Sequence, residues 1–205
     1  MTAITSSARR PLALVPVMTG IGFTLSWIIG LAIPAPSPQL TAGGPAILSA
    51  LAGHGGQVVA SYVFEEGLPA FGLAVISVYL ARHARWVLWP GVLAAVISLT
   101  QCALGIALAH ATAPATAHLL FEAVNRLDGV KMFAIATVAL AAGTTAALPR
   151  WLRYLGVALG VSITASGVAY LFLLDSLGGL AYLAGVLLLA FIPAAGIVLG
   201  RECRE

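Results

Sequence analysis

Residues 57–81 read QVVASYVFEEGLPAFGLAVISVYLA. As a helix this run is long enough to cross the hydrocarbon core of a bilayer, for which about 20 residues suffice. Within it stand two adjacent acids, Glu65 and Glu66, followed at once by Gly67 and Pro69. In water the acids would need nothing and the apolar flanks would need cover. In lipid the flanks are at home and the acids need partners. Composition decides between the two. Of the 205 residues 60% are hydrophobic and 8% charged, against about 25% charged in a soluble globular domain. The solvent for most of this chain is lipid.

Working outward from that run, the chain divides into six apolar stretches, at about 12–33, 57–81, 86–109, 129–148, 154–174 and 178–199. They are continuous, not alternating, so helices are expected and a barrel is not. The reading is an all-α polytopic bundle of six transmembrane helices forming one integral-membrane domain over 1–205. The run at 12–33 exceeds the usual h-region of a signal peptide, which favours a retained first span. The small residues around Ala32-Ile33-Pro34-Ala35 leave cleavage as the alternative.

Eight of the ten basic residues form four clusters: Arg9 and Arg10, Arg82 and Arg85, Arg150 and Arg153, Arg201 and Arg204. These fall at alternate span ends, hence on one side, and the positive-inside rule assigns that side and both termini to the cytoplasm. A bacterial-type inner membrane is expected. The net charge of +3 is thereby explained as a topology signal, and nucleic acid is not an expected partner. Cys102 lies within a span and Cys203 in the tail, so no mutual disulfide is expected.

Two stretches echo one another. RWVLWPGV at 85–92 and RWLRYLGV at 150–157 share Arg, Trp, Gly and Val. At the same offset Glu66 falls on Lys131, which would make spans two and three a parallel repeat of spans four and five. Interface anchoring of an Arg-Trp pair is the alternative.

Counting outward from the basic clusters at about 1.5 Å per residue, Ser26, Trp27, Glu66, Gln101, Lys131, Tyr170 and Tyr182 lie at one depth, about 24–28 Å from the cytoplasmic boundary. An ionisable group inside a span turns inward and finds a partner. Glu66 is therefore expected to pair with Lys131 or to accept from Gln101, with Glu65 facing an outer vestibule. Pro69 cannot donate to the carbonyl four residues earlier, which predicts a kink and a freed Glu65 carbonyl. A second polar set, His118, Glu122, Asn125, Arg126 and Asp128, lies on the segment HLLFEAVNRLDGVK at 118–131. It reads either as an interfacial helix with a solvated face, or as a lid over the acid layer with Arg126 offered to an anionic group.

His54, His83, His110 and His118 form no i, i+4 pair. No haem, metal or other cofactor is expected, although His54, His110, His118 and Glu122 leave a surface metal site as an alternative. Ser166-Gly167 has no histidine in the following span, which disfavours serine proteolysis. No nucleotide-binding glycine loop is present.

The span order and the turn Leu-Pro-Arg-Trp-Leu-x-x-Leu-Gly at 148–156 resemble a broad bacterial family of small inner-membrane proteins of undefined function. The resemblance implies a helical bundle and no activity. Three functional readings follow from the residues. The first is binding or transport of a small amphipathic molecule at Trp27, Glu66, Gln101, Glu122, Arg126, Asp128, Lys131, Tyr170 and Tyr182. The second is an intramembrane enzyme on a lipid or isoprenoid, with Glu65 and Glu66 as acid–base groups, similar in logic to small polytopic terpene cyclases. The third is a structural membrane subunit whose Glu–Lys pair locks packing. The oligomeric state is not legible.

Overall fold

The computed structural model describes residues 13–177 and 179–202, with no strand among them. The expectations for Arg9, Arg10, Cys203 and Arg204 lie outside the described residues. Helix α1 covers Leu14–Ala32. A short α2, Gly44–Leu51, precedes α3, Gly55–Tyr62. A π-helical turn, Val63–Gly67, joins α3 to α4, Leu68–Leu80. Helices α5, α6, α7 and α8 follow at Leu88–Ala109, Pro114–Thr144, Arg150–Leu171 and Leu180–Glu202. Six helical segments are long and apolar enough to cross a membrane, with α3, the π turn and α4 counting as one.

The fourth span corrects the sequence reading. It begins at Pro114, not near 129, and runs unbroken for 31 residues. Pro114 at the first helical turn lacks only an N–H that no helix start can use. The polar residues that follow do not stop the helix because several of them find partners inside the bundle. The segment 118–131 is therefore part of the span and not a separate interfacial helix. The short α2 stands apart from the second span and is followed by a turn in which Gly53 takes φ +76°, a conformation that glycine adopts without strain.

The spans pack in chain order around a ring, α1 against α4, α4 against α5, α5 against α6, α6 against α7 and α7 against α8. Helix α8 then returns to α1. Small residues set the close approaches, as expected where lipid supplies no hydrophobic drive. A Cβ at Gly129 would lie 2.6 Å from the Leu171 nitrogen, and one at Gly20 2.9 Å from the Pro193 Cα. Alternation of the spans gathers Arg82, Arg85, Arg150, Arg153 and Arg201 at one end of the ring, here called the basic end. Trp86, Trp89, Trp151 and Tyr154 are exposed there, the placement of an interfacial aromatic belt. In the basic half the ring is packed shut by Ile76, Leu80, Leu152, Leu159 and Phe191. The opposite half is not filled, and five of the chain's seven acids, Glu65, Glu66, Glu122, Asp128 and Asp175, lie there.

Candidate functional site

The π turn builds the site. With Pro69 unable to donate, a regular helix would strand the Glu65 carbonyl. The chain instead widens by one residue, and the Leu68 N–H reaches the Val63 carbonyl, five residues back. In that register the donor missing at Pro69 belongs to the Phe64 carbonyl. Ser26 on α1 supplies it, its Oγ donating to Phe64 O at 2.6 Å. The freed carbonyl is thus that of Phe64, one position from the sequence expectation, and it is satisfied by a neighbouring helix. Such π turns are frequent at functional sites.

The turn aims its two acids at different neighbours. Glu66 is buried and faces α5 and α6. Lys131 Nζ lies 2.7 Å from both Glu66 oxygens, and Ser98 Oγ donates to Glu66 Oε2 at 2.7 Å. Lys131 also lies 2.6 Å from Asp128 Oδ1, one turn back on its own helix. Lys131 is only 5% exposed, so its charge is answered almost wholly by these two carboxylates. Of the two partners proposed for Glu66, Lys131 is the one observed. Gln101 instead donates through Nε2 to the Val124 carbonyl at 3.0 Å and to Asp128 Oδ1 at 3.2 Å. Glu65 accepts from Ser61 Oγ at 3.0 Å. Its stem lies along α1 at Gly30, where any Cβ would collide with the Glu65 Cγ.

These groups line a cavity of about 690 Å³ in the unfilled half of the ring. Trp27, stacked on Phe23 at 6.3 Å between ring centroids, forms part of its wall. Tyr62, Phe121 and Tyr170 add further rings. At the end remote from the basic end of the ring, the cavity is bordered by residues 35–40 and by Asp175. Asp175 ties those two segments together. Its Oδ1 accepts from the Leu40 N–H at 2.8 Å and its Oδ2 from the Thr41 hydroxyl at 2.5 Å. The Thr41 hydroxyl in the first place, aided by the Leu40 N–H, holds the Asp175 carboxyl below its ordinary value.

The expected single polar layer divides. Ser26, Glu66, Gln101 and Lys131 are buried, whereas Tyr182 is 81% exposed at the cavity edge. The second polar set also divides. Asn125 turns inward, donating to the Phe121 carbonyl at 2.8 Å, and Asp128 joins Lys131. Glu122 and Arg126 remain on the outer face as an i, i+4 pair at 2.7 Å, with His118 3.7 Å from Glu122. Neither Glu122 nor Arg126 borders the cavity, so the lid expectation is not met. Among the described residues no three His, Cys, Asp or Glu side chains are grouped as metal ligands. His54 and His110 contact backbone carbonyls of their own segments.

Ser26, Ser61, Ser98 and Tyr62 are site residues that sequence reading did not single out as ligand-binding. Ser98 was findable in principle, since it stands three residues before Gln101 and shares its face. No family model matches the chain, and no curated protein or solved structure matches it either.

Proposed function

We propose that this chain is a multi-pass protein of a bacterial-type inner membrane that binds or transports a small amphipathic molecule. The basic end is assigned to the cytoplasm by the positive-inside rule, so the cavity opens outward. The observation that carries the reading is the buried Glu66–Lys131–Asp128 group set in the wall of a cavity of about 690 Å³. A volume of about 300–1,000 Å³ suits one small-molecule ligand. A pair that only locked two helices would need no such space beside it.

An intramembrane acid–base enzyme acting on a lipid or isoprenoid is the second reading, favoured by the aromatic rings in the cavity wall. In that reading Glu65 is the better proton donor. Both oxygens of Glu66 already accept hydrogen bonds from Lys131 and Ser98.

Native mass spectrometry of the detergent-purified protein tests the proposal, with wild type beside Glu66→Gln. Binding predicts a discrete co-purifying molecule that the variant loses. A clean mass for both folded proteins favours a structural subunit, and a product in lipid extracts that vanishes with Glu65→Gln favours the enzyme.

A further inference from the structure

We infer that the ligand of this cavity carries a hydrogen-bonding cation, a protonated amine, on an apolar body. The inference rests on the binding reading above and names the chemistry of its ligand.

Among the described residues, the charged side chains that line the cavity are Glu65, Glu66, Asp128 and Asp175 against Lys131. Four acids thus face one base. An ammonium has three donors, and three oxygens already surround that of Lys131: both of Glu66 and Oδ1 of Asp128. Lys131 therefore has no donor left for an anionic ligand. The hydroxyls of Ser61 and Ser98 are committed to Glu65 and Glu66. Arg126, the cation outside this group on the same helix, is paired with Glu122 away from the cavity.

An independent observation points the same way. Gln101 is 1% exposed and lines the cavity, yet its Oε1 has no hydrogen-bond partner. The amide cannot turn over to cure this, because its nitrogen donates to two acceptors, Val124 O and Asp128 Oδ1. A buried acceptor left unpaired costs about 1–3 kcal/mol. The cavity thus offers excess negative charge, with the donors named above already used, and lies beside a buried acceptor that lacks a partner. Aromatic walls at Trp27, Tyr62 and Tyr170 suit both an apolar body and a cation held over a ring face. A primary ammonium on an apolar body answers the charge and suits the walls; a carboxylate or phosphate would add to the excess negative charge.

The test is calorimetric titration of the full chain in phosphatidylcholine nanodiscs at neutral pH, corrected against empty discs. Three probes share one body: phenylbutylamine, phenylbutanol and phenylbutyrate. The amine is expected to bind at least about tenfold more tightly than the other two, the scale of one charge-assisted hydrogen bond. Glu65→Gln, which keeps the Ser61 contact, should weaken the amine about tenfold and so narrow its advantage over the alcohol. Competition from phosphatidylethanolamine in the disc would identify a lipid ammonium as the source, and lack of competition a free amine; either supports the inference. Equal binding of the alcohol, or preference for the carboxylate, overturns it and leaves the binding reading standing. No binding of any probe by protein whose native mass carries a small molecule also overturns the inference alone. No binding together with a clean native mass overturns both.

Discussion

Glu66 and Lys131 stand 65 positions apart in the chain and 2.7 Å apart in space, on the second and fourth spans. Neither is paired exclusively with the other. Lys131 is shared with Asp128, and this third member changes what mutation of the pair should do.

Breaking the group by Lys131→Met leaves two buried carboxylates without a counter-charge. Loss of one partner of a buried ion pair costs about 3–5 kcal/mol. A charge swap, Glu66→Lys with Lys131→Glu, should recover only part of this, because the acid introduced at 131 sits one turn from Asp128. Adding Asp128→Asn to the swap should recover more. Thermal unfolding in detergent compares the four proteins. Full recovery by the two-residue swap would show that Asp128 takes no part.

Ser26 and Pro69 should be coupled although they lie on different helices. Ser26→Ala removes the donor to the Phe64 carbonyl and should cost about 1–2 kcal/mol. Pro69→Ala restores an N–H in the position that the π register assigns to that carbonyl. In the Pro69→Ala background the loss of Ser26 should therefore be nearly silent. Additive costs in this double-mutant cycle would mean that the two changes act on separate groups.

Acid should loosen the mouth of the cavity. The folded-state pKa of Asp175 is depressed below its ordinary value of 3.8, so its contribution is present above that value and is lost as pH falls through the lower, folded pKa. Hydrogen exchange of residues 35–42 should accelerate across that acid window. Asp175→Asn should give fast exchange already at neutral pH. Equal exchange in wild type and variant at neutral pH would show that the clip does not hold this segment.

Topology is open to direct test. In a background lacking Cys102 and Cys203, a cysteine replacing Ser37 should react with an impermeant maleimide added to whole cells. A cysteine replacing Ala146, in the exposed turn between α6 and α7 at the basic end, should react only after lysis. The reverse pattern would invert the assignment of the basic end to the cytoplasm.

The spans were legible because each is an unbroken apolar run, and Lys131 was legible as a partner for Glu66 because an acid and a base in lipid must each be answered. The start of the fourth span was not. Charge density at 118–131 resembles an interface when read alone, and only the contacts of Gln101, Asn125 and Asp128 show why that segment runs on inside the bundle. The partners of the serines were hidden for a related reason. Ser26 and Ser98 reach other spans, whereas Thr100 and Thr137 bond back to their own helices. A hydroxyl in an apolar run looks the same in sequence whichever it does. The π turn was half legible: Pro69 announced a fault in the helix, but not that the fault would widen the turn and move the orphaned carbonyl to Phe64.

The return of α8 to α1 bears on how the molecule is made. Chains are completed from the N-terminus, so of the six spans the one that closes the ring leaves the ribosome after the other five. The acid–base group needs only the second and fourth spans and can assemble before then. Until α8 arrives, its wall of the cavity is missing and the charged group is accessible from the bilayer through an open seam. Gly20 and Gly196 line the joint that shuts it. Bulky side chains at either position would leave the group intact and the door ajar, a defect of biogenesis with every charged residue in place.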